Sequence, residues 1–183
     1  ADAGLQVIVI DREDPVTMLD APYDGRSSAI AWASQQALAT IGVWDHVAGQ
    51  AQAMLDIRVS DGASPLFLHY DHRELDDQPF GFMVENRHMR QALHKRAAEI
   101  SSLELRAPAS AAEIQRAENG VTVRLEDGDN LQARLLIGAE GRRSPSREDA
   151  GIQVSGWSYH QVGIVCTVGH QHPHHGIAQD RFL

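Results

Sequence analysis

The chain has 183 residues, 43% of them hydrophobic, 22% charged and only 5% aromatic, which is the composition of an ordinary globular protein long enough to bury a sizeable core without disulfides or metal. Sixteen Lys and Arg against twenty-five Asp and Glu leave a formal net charge of -9, and the basic residues are scattered, which argues against a phosphate-backbone binder. The longest apolar runs, 5–10 and 135–139, fall far below the roughly 20 residues that span a bilayer, while Cys166, the single cysteine, excludes an intrachain disulfide and fits a reducing cytoplasm.

The chain opens at Ala1-Asp2-Ala3-Gly4-Leu5 without an initiator Met or signal peptide and stops at Arg181-Phe182-Leu183 without a terminating motif. It reads as a segment of something longer. Leu5 to Ile10 (LQVIVI) is a continuous apolar run suited to a buried strand, preceded by Gly4 and closed by Asp11. Helix, Gly turn, strand and acid is the way the second strand of a dinucleotide-binding βαβ unit ends, its carboxylate accepting hydrogen bonds from a ribose. Taken alone, a solvated strand end explains Asp11 better.

Asp14 to Gly25 is loop-like, punctuated by Pro15, Pro22 and Asp24-Gly25. The spacing of Ile30, Ala33, Ala37, Leu38 and Ile41 predicts a helix over Ser27 to Ile41 with Gly42 as its stop. Arg26 then falls at that helix's N-terminus, where a cation opposes the macrodipole unless an anion shares the place; an exposed surface Arg is the plainer alternative. Ile57 to Ser60, Pro65 to Tyr70 and Gly81 to Val84 read as short strands. A second helix follows over Arg87 to Ile100, with Met89, Leu93, Ala97 and Ile100 inward and Asn86 as N-cap, a role that by itself accounts for an Asn there.

Ala112 to Ala117, Val121 to Glu126 and Leu131 to Ile137 are three strand-like runs separated by Asn119-Gly120 and Asp127-Gly128, the strongest short hairpin signals. The last of them runs straight into Gly138-Ala139-Glu140-Gly141, whose glycines permit close approach of backbone to a ligand. Trp157 to Val168 alternates well enough to be a strand and gives way to His170, His172, His174 and His175. Pro173 interrupts any strand geometry there, so a solvated loop is a better reading than a metal ligand set. Cys166 lies in an apolar run without a basic neighbour, which favours a buried core thiol over a nucleophile. Ser158 lacks the second Gly and the preceding strand of a nucleophile elbow, and Glu74, Asp76 and Asp77 read as a solvated turn.

Five ordered segments carry a family resemblance: VIVIDRE (7–13), GRSSAIAWASQQALATIGVWD (25–45), FMVENRHMRQAL (82–93), LLIGAEGRRSPSR (135–147) and WSYHQVGIV (157–165), followed by Arg181-Phe182. Together the chain resembles the flavin-dependent aromatic hydroxylases of ubiquinone biosynthesis, the 2-octaprenyl-6-methoxyphenol hydroxylase family of group A flavoprotein monooxygenases. The resemblance implies a mixed α/β fold, an FAD/NAD(P)-binding Rossmann-like domain with a β-meander, interrupted by strands of a substrate-binding mixed sheet and incomplete at both ends. It puts residues 1–57 and 81–152 in the FAD domain and 58–80 and 153–183 in the substrate sheet. The family's GxGxxG and GDAxH segments are not in this chain, so the isolated segment is expected to bind FAD poorly or not at all.

Carried over by residue, the resemblance implies that Asp11 binds the FAD ribose, that Arg26 lies near the pyrophosphate with Ser28 nearby, and that Asn86 stands where relatives use Arg or Gln. Gly138, Glu140 and Gly141 match the family's GADG motif, tied to FAD and NAD(P)H, with Glu in place of Asp. The activity implied is hydroxylation of a polyprenylated phenol with NAD(P)H as reductant and O2, without a triad or metal in this chain. It also implies a peripheral place on the inner face of the membrane in a ubiquinone biosynthetic complex, and no nucleic-acid partner. A non-catalytic remnant of the fold, or a flavin enzyme of another phenolic substrate, remains the alternative.

Overall fold

The computed structural model describes residues 1–182 apart from Asp2 and Ala21; Asp2 and Leu183, read above at the two ends of the sequence, lie outside the described residues. In chain order, β1 (Val7–Ile10) is followed by α1 (Pro15–Leu19) in a stretch expected to be loop. Proline suits the first turn of a helix because its missing N–H is not needed there. The single helix expected from Ser27 to Ile41 is instead β2 (Ser27–Ala31) and α2 (Trp32–Thr40). Ser28 and Ile30 are half-buried while Ser27, Ala29 and Ala31 are exposed, a period of two that a helix cannot produce.

Next come β3 (Gln52–Met54), β4 (Asp56–Asp61), β5 (Phe67–Asp71) and β6 (Gly81–Glu85), then α3 (Asn86–Glu99) and β7 (Leu103–Arg106). The meander is β8 (Ala111–Ala117), β9 (Gly120–Leu125) and β10 (Asn130–Ala133), followed by α4 (Pro145–Asp149) and β11 (Ile177–Phe182). The chain divides into two compact units, Ala1–Val9 with Pro15–Leu105 and Val165–Leu183, and Ile10–Asp14 with Arg106–Ile164.

In the first unit β6 lies between β2 and β3, antiparallel to both. Gly81 pairs with Ala31, and a Cβ at Gly81 would stand 2.3 Å from the Ile30 carbonyl oxygen. Only glycine allows that approach. Val43, Val47, Val84 and Ala92 form the core of this unit, and Trp44 tilts onto Phe82 with ring centroids 4.9 Å apart. The expected stop of α2 is a Schellman turn: Gly42 has φ 74°, and the amides of Gly42 and Val43 donate to the carbonyls of Ala39 and Leu38. Arg96 of α3 donates from Nε to the Ile41 carbonyl at 2.7 Å, closing a further orphan acceptor of that helix end. On α3, Ala92 and Met89 face this core, whereas Leu93 is 43% exposed. β4 forms a second sheet, antiparallel to β5 and parallel to β11.

In the second unit Val121, Val123 and Leu125 alternate along β9 and are buried, with Ile10, Ile114, Leu131 and Leu136 packed against them. Asn119-Gly120 and Asp127-Gly128 turn the hairpins as expected, and Gly120 is so close to Ala133 that a Cβ would meet its carbonyl oxygen at 2.6 Å. β10 stops at Ala133 instead of reaching Ile137. Ala133 pairs with Val121, and β9 begins one residue before that, so 134–137 have no strand partner among the described residues; Leu135 and Ile137 are 74% and 75% exposed.

The strand expected over Trp157 to Val168 is absent, because no strand among the described residues runs beside it; Val162 and Ile164 are 90% exposed. Cys166 shares this exposure and is not the buried thiol the apolar run suggests. The strand of this region is β11, beyond the exposed histidine loop. Overpacking normally costs about 1–3 kcal/mol and more where backbone must move. Gly81→Ala is therefore expected to lower unfolding free energy by at least about 2 kcal/mol, read from urea denaturation, while Gly49→Ala, where a Cβ meets nothing within 4 Å, stays near wild type.

Candidate functional site

Arg26, Ser28 and Asn86 are gathered by the β2–β6 pairing. Ser28 pairs with Val84 and Ser27 with Glu85, so the first residue of α3 arrives beside the start of β2. The Asn86 amide donates to the Arg26 carbonyl at 3.0 Å, and Ser28 Oγ donates to Asn86 Oδ1 at 2.6 Å. Asn86 is thus the first residue of α3 and not its cap; Glu85 is the N-cap and makes no side-chain capping bond. The amide has been drawn sideways to Ser28, which fixes Oδ1 as the acceptor and leaves Nδ2 as a donor.

Arg26 does not stand at a helix N-terminus, because β2 and not a helix follows it. Its side chain is 73% exposed and, among the described residues, pairs with Asp24 Oδ2, at 4.0 Å. Asp24 Oδ1 accepts from the Arg26 amide at 3.0 Å, a turn that holds the residue at the mouth of β2. At the head of α3 the Glu85 carboxylate receives Arg87 Nε at 2.6 Å and has His88 Nε2 at 3.3 Å. Arg87 also lies over the Tyr23 ring, 5.0 Å from its centroid.

Asp11 follows β1 directly. Its amide donates to the Arg106 carbonyl, its carbonyl accepts from Ala109, and Oδ1 accepts from the Glu13 amide at 3.0 Å. The carboxylate is therefore pinned at the strand end with acceptor capacity to spare.

Around Glu140 the chain folds onto itself. Glu140 Oε2 accepts from Ser144 Oγ at 2.6 Å, and Oε1 accepts from the Ser146 amide at 3.3 Å and from the Ser146 hydroxyl. These donors, Ser144 first and Ser146 second, hold the Glu140 carboxyl down at about 2 against the opposing effect of burial. Ser144 is itself the N-cap of α4, accepting from the Arg147 amide at 3.2 Å, with Pro145 in the first turn. Gly141 has φ 76°, and a Cβ at Gly138 would stand 3.1 Å from Glu140 Oε2. The longer Glu side chain thus finds its partners within its own turn. Ser144 and Ser146 were not read from the sequence as site residues, although Ser before Pro is a helix-start signal.

The FAD binding domain family model matches residues 1–181. The chain belongs to the FAD binding domain family. Its sequence is 50% identical over 183 residues to ubiquinone hydroxylase UbiL of Rhodospirillum rubrum, covering 100% of this chain and 42% of that protein. It is 34% identical over 171 residues to 3-demethoxyubiquinol 3-hydroxylase of Escherichia coli, covering 92% of this chain and 43% of that one. The crystal structure of PqsL from Pseudomonas aeruginosa superposes with a TM-score of 0.71 at 18% identity, covering 86% of this chain and 42% of that chain. The chain thus spans less than half the length of these relatives, and its mixed α/β architecture is the FAD-binding fold.

Glu140 supplies a pH test. A carboxyl depressed from 4.5 to about 2 contributes stability that is fully present above about pH 4.5 and is lost as pH falls through about 2. Glu140→Gln is expected to destabilise the chain at pH 6 and to converge on wild type toward pH 2.5, in urea unfolding followed by circular dichroism. A slope remains in the variant because Asp71, Glu99 and Glu113 are depressed as well, chiefly by Arg73, His46 and Gln115 respectively.

Proposed function

We propose that this chain is the middle portion of an FAD-dependent monooxygenase that hydroxylates the ring of a polyprenylated phenol in ubiquinone biosynthesis, with NAD(P)H as reductant and O2 as co-substrate. The observation that carries this reading is 50% identity along the whole chain to a protein named ubiquinone hydroxylase.

The residues of the first unit fit the cofactor's pyrophosphate. An exposed guanidinium at Arg26, the Asn86 amide with its donor end free of Ser28, and the side-chain-uncapped N-terminus of a 14-residue helix are three donors to an anion. Ser28 acts through Asn86, orienting it. Asp11, pinned by Glu13, fits the acceptor that ribose hydroxyls need. Gly138, Glu140 and Gly141 form the turn that this reading gives to FAD and NAD(P)H, where Glu140 shapes the backbone and keeps its own charge satisfied by Ser144 and Ser146. When bound, the flavin supplies the redox chemistry, and the chain's residues bind, orient and exclude water.

The reading also divides the chain into FAD-domain residues 1–57 and 81–152 and substrate-sheet residues 58–80 and 153–183. Supporting it, β5 from one of these latter segments and β11 from the other flank β4 in one sheet. Among the described residues no helix is long and apolar enough to cross a membrane. A polyprenyl tail resides in the bilayer, so the reading includes peripheral docking at the inner face of the membrane beside the enzymes that supply and consume the substrate.

In the longer protein, Asp11→Ala is expected to lower the FAD retained per polypeptide, and Arg26→Ala is expected to weaken flavin binding by about tenfold, more than Arg147→Ala does. Flavin fluorescence titration measures both, and the reverse order of the arginines would overturn the pyrophosphate assignment. NAD(P)H oxidation stimulated by a polyprenylated phenol tests the activity; stimulation only by non-isoprenoid phenols would reassign the substrate.

A further inference from the structure

The strand register of the second sheet brings two carboxylates face to face. Asp56 of β4 and Asp71 of β5 are direct antiparallel partners, so their side chains leave the sheet on the same side. Like charges in that position destabilise a sheet. The next residue, His72, is tied to the neighbouring strand by its amide, which donates to the Leu55 carbonyl at 3.1 Å.

This turn aims the His72 ring between the two acids. Nδ1 is buried and has no hydrogen-bond partner among the described residues, lying 3.7 Å from Asp56 Oδ1 and 3.6 Å from Asp71 Oδ1. Those separations are too long for hydrogen bonds. They are close to the edge of a tetrahedron around zinc, since two ligands about 2.1 Å from the ion stand about 3.4 Å apart. The three ligand atoms lie within 4.8 Å of one another. His69 Nε2 is 3.6 Å from Asp56 Oδ2, and Asp77 Oδ1 is 3.3 Å from His72 Nε2, so a second imidazole and a third acid border the same place. Arg73 is forked onto Asp71, its Nε standing 2.9 and 3.0 Å from the two carboxylate oxygens.

We propose that Asp56, Asp71 and His72 form a divalent-cation site, best suited to zinc, that cross-links the facing ends of β4 and β5. Two carboxylates and an imidazole are a donor set that zinc accepts, with the fourth position left to water. The Arg73 side chain is 72% exposed, and its guanidinium swings off Asp71 Oδ1 when the ion binds, while the Arg73 amide keeps its 2.9 Å bond to that oxygen. The site is independent of the flavin assignment, and the histidines at 170–175 take no part in it. In that loop His174 Nδ1 already accepts from the Gly176 amide at 3.0 Å.

The test uses the full 183-residue chain, stripped with chelator and titrated with zinc alone against a chromophoric competitor, with thermal melts in parallel. The expected result is one zinc per chain and a melting point raised by zinc. His72→Gln weakens binding by about tenfold or more, Arg73→Ala tightens it, and the double substitution His170→Gln with His172→Gln leaves it unchanged. Asp56→Asn separates the proposal from simple misfolding: the variant keeps a cooperative metal-free melt while losing the response to zinc. Absence of stoichiometric zinc, binding that survives His72→Gln, or binding lost with the His170 and His172 pair would each overturn the site.

Discussion

Strand β6 is the constraint on which the first unit depends. It lies between two antiparallel neighbours, and at Gly81 its backbone comes so close to the Ile30 carbonyl that no side chain can stand between them. That contact sets the register of β2, and the register then delivers Ser28 to Asn86 and Arg26 to the Asn86 amide. Val84 and Phe82 on the same strand seat the core beneath, against Val47 and Trp44. A polar cluster at the surface is thereby positioned by apolar packing and by the absence of one Cβ, with little contribution from the polar groups themselves.

The second unit uses the opposite device. Around Glu140 there is little apolar burial, and the turn is held by a carboxylate that gathers two serines at the head of α4. An anion at that place complements the unpaired amides of a first helical turn. The Glu140 side chain is long enough to reach Ser144 and Ser146, so its full length is absorbed by local hydrogen bonding.

Much of this was legible in the sequence because it rests on local chemistry. The Asn119-Gly120 and Asp127-Gly128 turns, the Gly42 stop and the strands about 57–60, 65–70 and 81–84 follow from φ requirements and alternation. What failed depended on partners elsewhere in the chain. Ser27 to Ala31 carries small residues compatible with either period, and only pairing with β6 makes it a strand. Asn86 looks like a cap until Ser28 competes for its oxygen. Leu131 to Ile137 and Trp157 to Val168 have strand composition, yet the first outruns β9 and the second has no neighbouring strand. Asp56 and Asp71 are unremarkable aspartates until cross-strand register opposes them.

The open stretch at 161–169 has a practical consequence for handling the chain. QVGIVCTVG contains no charge and no proline, and Val162, Ile164, Val165 and Val168 are all at least 71% exposed. Uncharged, β-branched windows with free backbone are templates for intermolecular cross-β stacking, and the exposed Cys166 within this one can lock neighbouring chains covalently once oxidised. A single lysine placed on such a window acts as a gatekeeper against that kind of assembly.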